Sequence, residues 1–257
     1  MLLGYNRTLR GNFYLGVCEP NWLKTARVPL FVSRRRLLRV KRGPPRARCA
    51  WALDSGGFSE LSMYGEWRTS LTQYVAEVDW IQSEIGGLDW AAQQDWMCEP
   101  FIIAKTGLSV EIHQRNTVEN YLELMSVAPE SPWVPVLQGY TLEEYLAHED
   151  MFRRAGVRLA GLPLVGIGSI CRRQHTTEAA RIISTVAALG INLHGFGLKT
   201  QALQRIHLLL HSADSMSWSF TARRERIQLP GCTHKTCGNC LRYALVWRKR
   251  LIERMKP

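Results

Sequence analysis

The feature that most constrains this chain is an alternation along its length. Short apolar runs rich in β-branched and aromatic residues alternate with longer amphipathic stretches over nearly the whole sequence, the pattern of repeated βα units around a parallel sheet. Strands are expected at 13–17, 29–33, 50–54, 88–93, 133–138, 159–162, 193–196 and 213–219. Eight strands in 257 residues fit a (β/α)8 TIM barrel, whose usual length is roughly 250 residues. Helices are expected at 71–85, 118–127, 142–155, 179–189 and 202–210, where apolar residues recur at three- and four-residue spacing. Thr141 with Glu144 reads as a helix start, as does Thr176 with Glu178, while Gly156 and Gly190 sit where helices should end.

Composition sharpens the class. Hydrophobic residues at 46% and charged residues at 21% describe a globular chain and exclude disordered and fibrous classes. One domain over 1–257 is expected. No apolar run approaches the ~18 residues of a membrane span, and 1–10 lacks the apolar stretch of a secretory signal, so a cytoplasmic protein is expected. The formal charge of +11 favours a polyanionic partner, nucleic acid first. The densest positive segment, 34–48 (RRRLLRVKRGPPRAR), reads either as a phosphate-contacting surface or as a solvated one. Neither a G-x-x-x-x-G-K-[ST] loop nor a G-x-G-x-x-G fingerprint occurs, which weighs against triphosphate and dinucleotide enzymes.

In such a barrel the C-terminal strand ends converge on one mouth. The expected ends carry Asp54-Ser55-Gly56-Gly57-Phe58, Gln93-Gln94-Asp95, Gln138-Gly139, Gly161-Leu162-Pro163, Gly195-Phe196-Gly197 and Asp214. Carboxylates, amides and glycines together suit a polar planar ligand, because glycine lets the main chain approach a base edge closely. Singly, each has a plainer reading. Asp54 could cap a turn, Asp95 could cap a helix or pair with an arginine, and Asp214 could pair with Arg223 or Arg224.

Cys232, His234, Cys237 and Cys240 form a C-x-H-x2-C-x2-C cluster. Three thiols and an imidazole within a tight loop suit tetrahedral Zn2+, and four protein ligands make the site structural. Cys18, Cys49, Cys98 and Cys171 are scattered. A zinc knuckle at 231–241 is therefore expected, followed by a basic helix over 241–256.

Asp54-Ser55-Gly56-Gly57-Phe58 after a strand, a Gln-Gly after a later strand, a Gly-Leu-x-x-x-Gly segment and a C-terminal cysteine knuckle resemble, in that order, the tRNA-guanine transglycosylase family. The length and the segment Ser212-Ala-Asp214-Ser-Met-Ser217-Trp-Ser219 are most similar to its DNA-modifying branch, the DpdA group. The resemblance implies exchange of guanine in DNA for a 7-deazaguanine base, 7-cyano-7-deazaguanine or a derivative, through a covalent aspartyl-glycosyl intermediate. It implies Asp54 as general acid/base, Asp95 reading the guanine edge, and Ser55, Gly56, Gln138, Gly139 and Gly161 around the base. The family's nucleophile position falls on Ser217, so the neighbouring carboxylate, Asp214, is taken as nucleophile. The knuckle departs too, with His234 in the second ligand position and Cys240 supplying a nearby fourth. Expected partners are DNA, the deazaguanine base and helper proteins that open DNA. The alternatives are the same chemistry on tRNA and a non-catalytic zinc-containing nucleic-acid-binding barrel.

Overall fold

A computed structural model of the chain describes residues 13–40, 43–170 and 177–255. Its strands are β1 (Phe13–Val17), β2 (Leu30–Ser33), β3 (Trp51–Asp54), β4 (Leu88–Ala92), β5 (Trp133–Val134), β6 (Val136–Leu137), β7 (Val165–Ile167), β8 (Leu193–Gly195) and β9 (Ser212–Ser215). They pair in the order β5-β4-β3-β2-β1-β9-β8-β7-β6, every pairing being parallel. β5 and β6 are halves of one strand broken at Pro135, which has no N–H to give a ladder. Its carbonyl accepts from Gly166 N at 2.8 Å, so the first half pairs with β4, the second with β7, and the barrel closes.

The ring is wrapped by α1 (Arg34–Leu37), α2 (Gly57–Tyr64), α3 (Leu71–Ile85), α4 (Pro100–Thr106), α5 (Val110–Val127), α6 (Leu142–Arg154), α7 (Thr177–Ala188), α8 (Thr200–Ile206), α9 (Ser217–Arg224) and α10 (Leu241–Arg254). Thr141 and Glu144 form the expected capping box on α6, and Gly156 and Gly190 take left-handed φ of +85° and +82°. Thr176 lies outside the described residues.

Three expectations change. The strand expected at 213–219 ends at Ser215, and Ser217 already opens α9. The strand placed at 159–162 is a 3-10 turn, Leu159–Gly161; Pro163 cannot donate to a ladder, and the fully buried run Val165–Ile167 beyond it forms the strand instead. The helix expected at 118–127 begins at Val110, capped by Ser109, whose hydroxyl accepts from Ile112 N. Its first half buries His113, Gln114 and Thr117 rather than aliphatic residues, so apolar spacing does not reveal it.

The barrel interior is filled. Tyr14, Ala52, Trp90, Ala92, Val134 and Leu164 pack with Phe31 and Phe196, and the His194 ring stands 4.6 Å from Trp90 and 4.8 Å from Phe196. This aromatic plug leaves the mouth as the place where a polar ligand can enter a cavity floored by the core.

Candidate functional site at the barrel mouth

Asp54 closes β3 and is held by its own turn. Gly56, at φ +84°, turns its N–H back to Asp54 Oδ1 at 3.0 Å, a conformation that glycine adopts without strain. Burial pushes the Asp54 carboxyl above its ordinary value, the Gly56 N–H opposes this, and the charge of Asp214 adds to the rise. Ser55 is buried beside it. A Cβ on Gly57 would lie 2.9 Å from the Trp67 ring, so the second glycine lets α2 begin against that ring.

Asp214 reaches the mouth from β9. Its Oδ1 accepts from Gly197 N at 2.7 Å and lies 3.4 Å from His194 Nε2. Burial lowers the His194 pKa, favouring the neutral ring, whose Nδ1 meets Ser212 Oγ at 2.8 Å. The alternative pairings are not made: Arg224 pairs with Glu225 and Arg223 donates to Gly238 O. Ser217 starts α9 and its hydroxyl accepts from Ser215 Oγ.

A cavity of about 160 Å³ is lined by Asp54, Ser55, Gly57, Phe58, Asp95, Glu99, Gly168, Ser169, Phe196, Gly197 and Asp214. Three of the expected carboxylates thus converge from β3, β4 and β9. Burial raises Asp95 to about 7, and its hydrogen bond from Gln138 Nε2 works against that rise. Gln138 Oε1 accepts from Ser169 Oγ at 2.6 Å, which orients the amide. Gly139 serves the backbone: its Cβ would lie 2.9 Å from Tyr145 N, so glycine lets α6 start against the strand end. Gly161 is not brought to the mouth. It precedes β7, and the neighbouring Leu162, Pro163 and Leu164 line a separate cavity of about 240 Å³ with Asp89, Trp90, Trp133 and His211. That cavity opens at the N-terminal strand ends and holds one carboxylate, Asp89, which accepts from the Tyr14 hydroxyl.

Sequence reasoning missed Gly168, Ser169 and Glu99. Gly168-Ser169 directly after the buried run Val165–Ile167 is a usable signal for the first two once the strand is placed beyond Pro163.

The segment 34–48 divides. Arg34 is 4% exposed and pairs with Glu77 at 2.5 Å, and it also donates to Thr69 Oγ1 and Ser55 O. It braces the Asp54 turn rather than facing a phosphate. Arg36 and Arg39 are exposed and line an open groove of about 870 Å³ with Lys24, Pro44 and Pro45. Residues 41–42 lie outside the described residues.

The ligand atoms of Cys232, His234, Cys237 and Cys240 all lie within 4.8 Å of one another. Leu229 N points to Cys237 Sγ at 3.3 Å and Arg242 Nη2 to Cys232 Sγ at 3.2 Å. Thiolates accept such donors, so the donor set fits a metal ion, and the cluster could hold one. Ser219 Oγ donates to Gly238 O at 2.5 Å and Asn239 reaches Glu19, so the knuckle ties α9 to the loop after β1. No helix among the described residues is long and apolar enough to cross a membrane.

No curated protein matches this sequence. A family model does, that of DpdA, DeoxyPurine in DNA protein A, over residues 9–256. With nearly the whole chain covered, and with the acids of the expected motifs gathered at one barrel mouth, the chain belongs to the DpdA family.

Proposed function

We propose that this chain is a DNA-modifying transglycosylase that exchanges guanine in DNA for a 7-deazaguanine base, 7-cyano-7-deazaguanine or a derivative. The observation that carries this reading is the pairing of Asp54 and Asp214, from separate strands, on one buried cavity in a chain of the DpdA family.

An Asp214 carboxylate oxygen attacks C1′ of the target nucleoside from the face opposite the base, and the C1′–N9 bond breaks. Asp54, whose raised pKa favours the protonated form, gives its proton to the departing guanine. The incoming base returns a proton to Asp54, and its ring nitrogen attacks C1′. The aspartyl ester then breaks, and the product keeps the original configuration. Asp95 lines the cavity and faces the base edge, where its carboxylate complements the N1–H and 2-amino groups of guanine, and the buried Gln138 amide holds that carboxyl group. The target base must leave its stack to enter a cavity this deep. Lys24, Arg36 and Arg39 suit the phosphate backbone. Cys232, His234, Cys237 and Cys240 would hold a structural Zn2+ that crosslinks the knuckle. The reading takes residues 1–257 as one cytoplasmic domain.

The test is incubation of the protein with a 7-deazaguanine base and either DNA or tRNA, followed by nucleoside mass spectrometry. Modified deoxynucleoside from DNA alone is expected. Modification of tRNA alone would transfer the same chemistry to RNA, and exchange in neither would reject it.

A further inference from the structure

Asp95, Gln138, Ser169 and Glu99 form a buried chain of hydrogen bonds, each residue being at most 6% exposed. Gln138 Nε2 faces Asp95 Oδ2, Gln138 Oε1 lies 2.6 Å from Ser169 Oγ, and Ser169 Oγ lies 2.8 Å from Glu99 Oε2. Cys98 N donates to the same Ser169 oxygen at 2.9 Å. Ser169 is held at φ +53°, a left-handed conformation uncommon for a residue with a side chain. Strain of that kind clusters at functional sites.

These links can be counted in protons. The amide of Gln138 donates on one side only, and Ser169 has one hydroxyl proton. Two donors therefore serve three links, and the third link needs a proton on one of the two carboxyl groups. If Asp95 and Glu99 were both ionised, one pair of oxygens would face each other at hydrogen-bond distance with nothing between them.

We propose that Asp95 and Glu99 hold one proton between them, and that a planar base presenting N–H donors to Asp95 places that proton on Glu99. In one arrangement Glu99 O–H donates to Ser169, Ser169 O–H to Gln138 Oε1, and Gln138 Nε2 to the Asp95 carboxylate. In the other the amide is turned over: Asp95 O–H donates to Gln138 Oε1, Gln138 Nε2 to Ser169, and Ser169 O–H to the Glu99 carboxylate. One proton leaves Asp95 and one arrives on Glu99, so the net charge of the pair is unchanged. The site switches Asp95 from donor to acceptor without gaining a second buried charge. Glu99 is in this account a positioning residue for base selection, and only the identity of the ligand rests on the base-exchange reading above.

The charged and titratable surroundings agree. Among the described residues Asp54 and Glu99 both raise Asp95, and Glu144, Glu99 and Asp95 add to the burial that raises the Cys98 thiol. The Tyr74 phenol is raised by burial and by Asp54 and Asp95, with Arg34 opposing. A second negative charge beside these acids is disfavoured, which is what a shared proton avoids.

The test is difference infrared spectroscopy near neutral pH, without base or DNA, so that its outcome does not depend on base exchange. In Asp95→Asn the new amide donates to Gln138 and Glu99 is left ionised. In Glu99→Gln it donates to Ser169 and Asp95 is left ionised. Wild type minus each variant should therefore show the C=O band of one protonated carboxyl group. A band in only one difference means a fixed proton and overturns the proposal, as does a band in neither. Should either variant fail to fold, Ser169→Ala, which cuts the chain in the middle, is expected to lose the same band, and its retention would equally overturn the proposal.

Discussion

A Cβ on Gly168 would lie 2.2 Å from Gln138 Nε2, so the amide that grips Asp95 occupies the space a side chain would take. Gly168→Ala is therefore expected to displace Gln138 rather than to unfold the barrel. A fall of about tenfold or more in affinity for a 7-deazaguanine base, with a midpoint of thermal unfolding only a few degrees lower, is the outcome to look for by calorimetry.

Asp95 links stability to pH. Its carboxyl is raised from 3.8 to about 7, so the favourable state is the protonated one. That stability is complete below the ordinary value and is lost as pH climbs towards about 7. Asp95→Asn has no charge to bury, and its stability should gain on wild type across this window by up to about 4 kcal/mol. Urea unfolding at pH 4.5 and pH 7.5 checks the sign: a constant difference between the two proteins contradicts it.

The arginines of the basic segment should separate by role. Arg34 is buried against Glu77, and Arg34→Ala should cost about 3–5 kcal/mol of stability by stranding that carboxylate. Arg36→Ala and Arg39→Ala should leave stability nearly unchanged. Each is expected to weaken DNA binding and to lower the slope of log affinity against log salt by about 1.

Metal content offers a direct check of the knuckle. One zinc per chain is expected by elemental analysis, with its loss in Cys237→Ser and a lowered unfolding midpoint on treatment with chelator. Zinc-free wild type with the same midpoint would reject a structural metal there.

Much of this was legible in the sequence because its signals are local. Asp54-Ser55-Gly56-Gly57 is a turn whose glycines are dictated by φ and by Trp67, and the cysteine spacing places four ligand atoms together. What stayed hidden depends on partners distant in the chain. Arg34 reads as one more surface arginine until Glu77 and Thr69 close around it. Gly161 reads as a strand-end glycine until Pro163 moves the strand beyond it. Glu99 has no motif at all, and its significance rests on Ser169, 70 residues away.

The most direct test of the central claim is the mass of the denatured protein after incubation with guanine-containing DNA in the absence of incoming base. The wild type is expected to carry a covalently attached DNA strand, and Asp214→Asn to carry none. An adduct in Asp214→Asn equal to that of the wild type would contradict the assignment of Asp214 as the nucleophile.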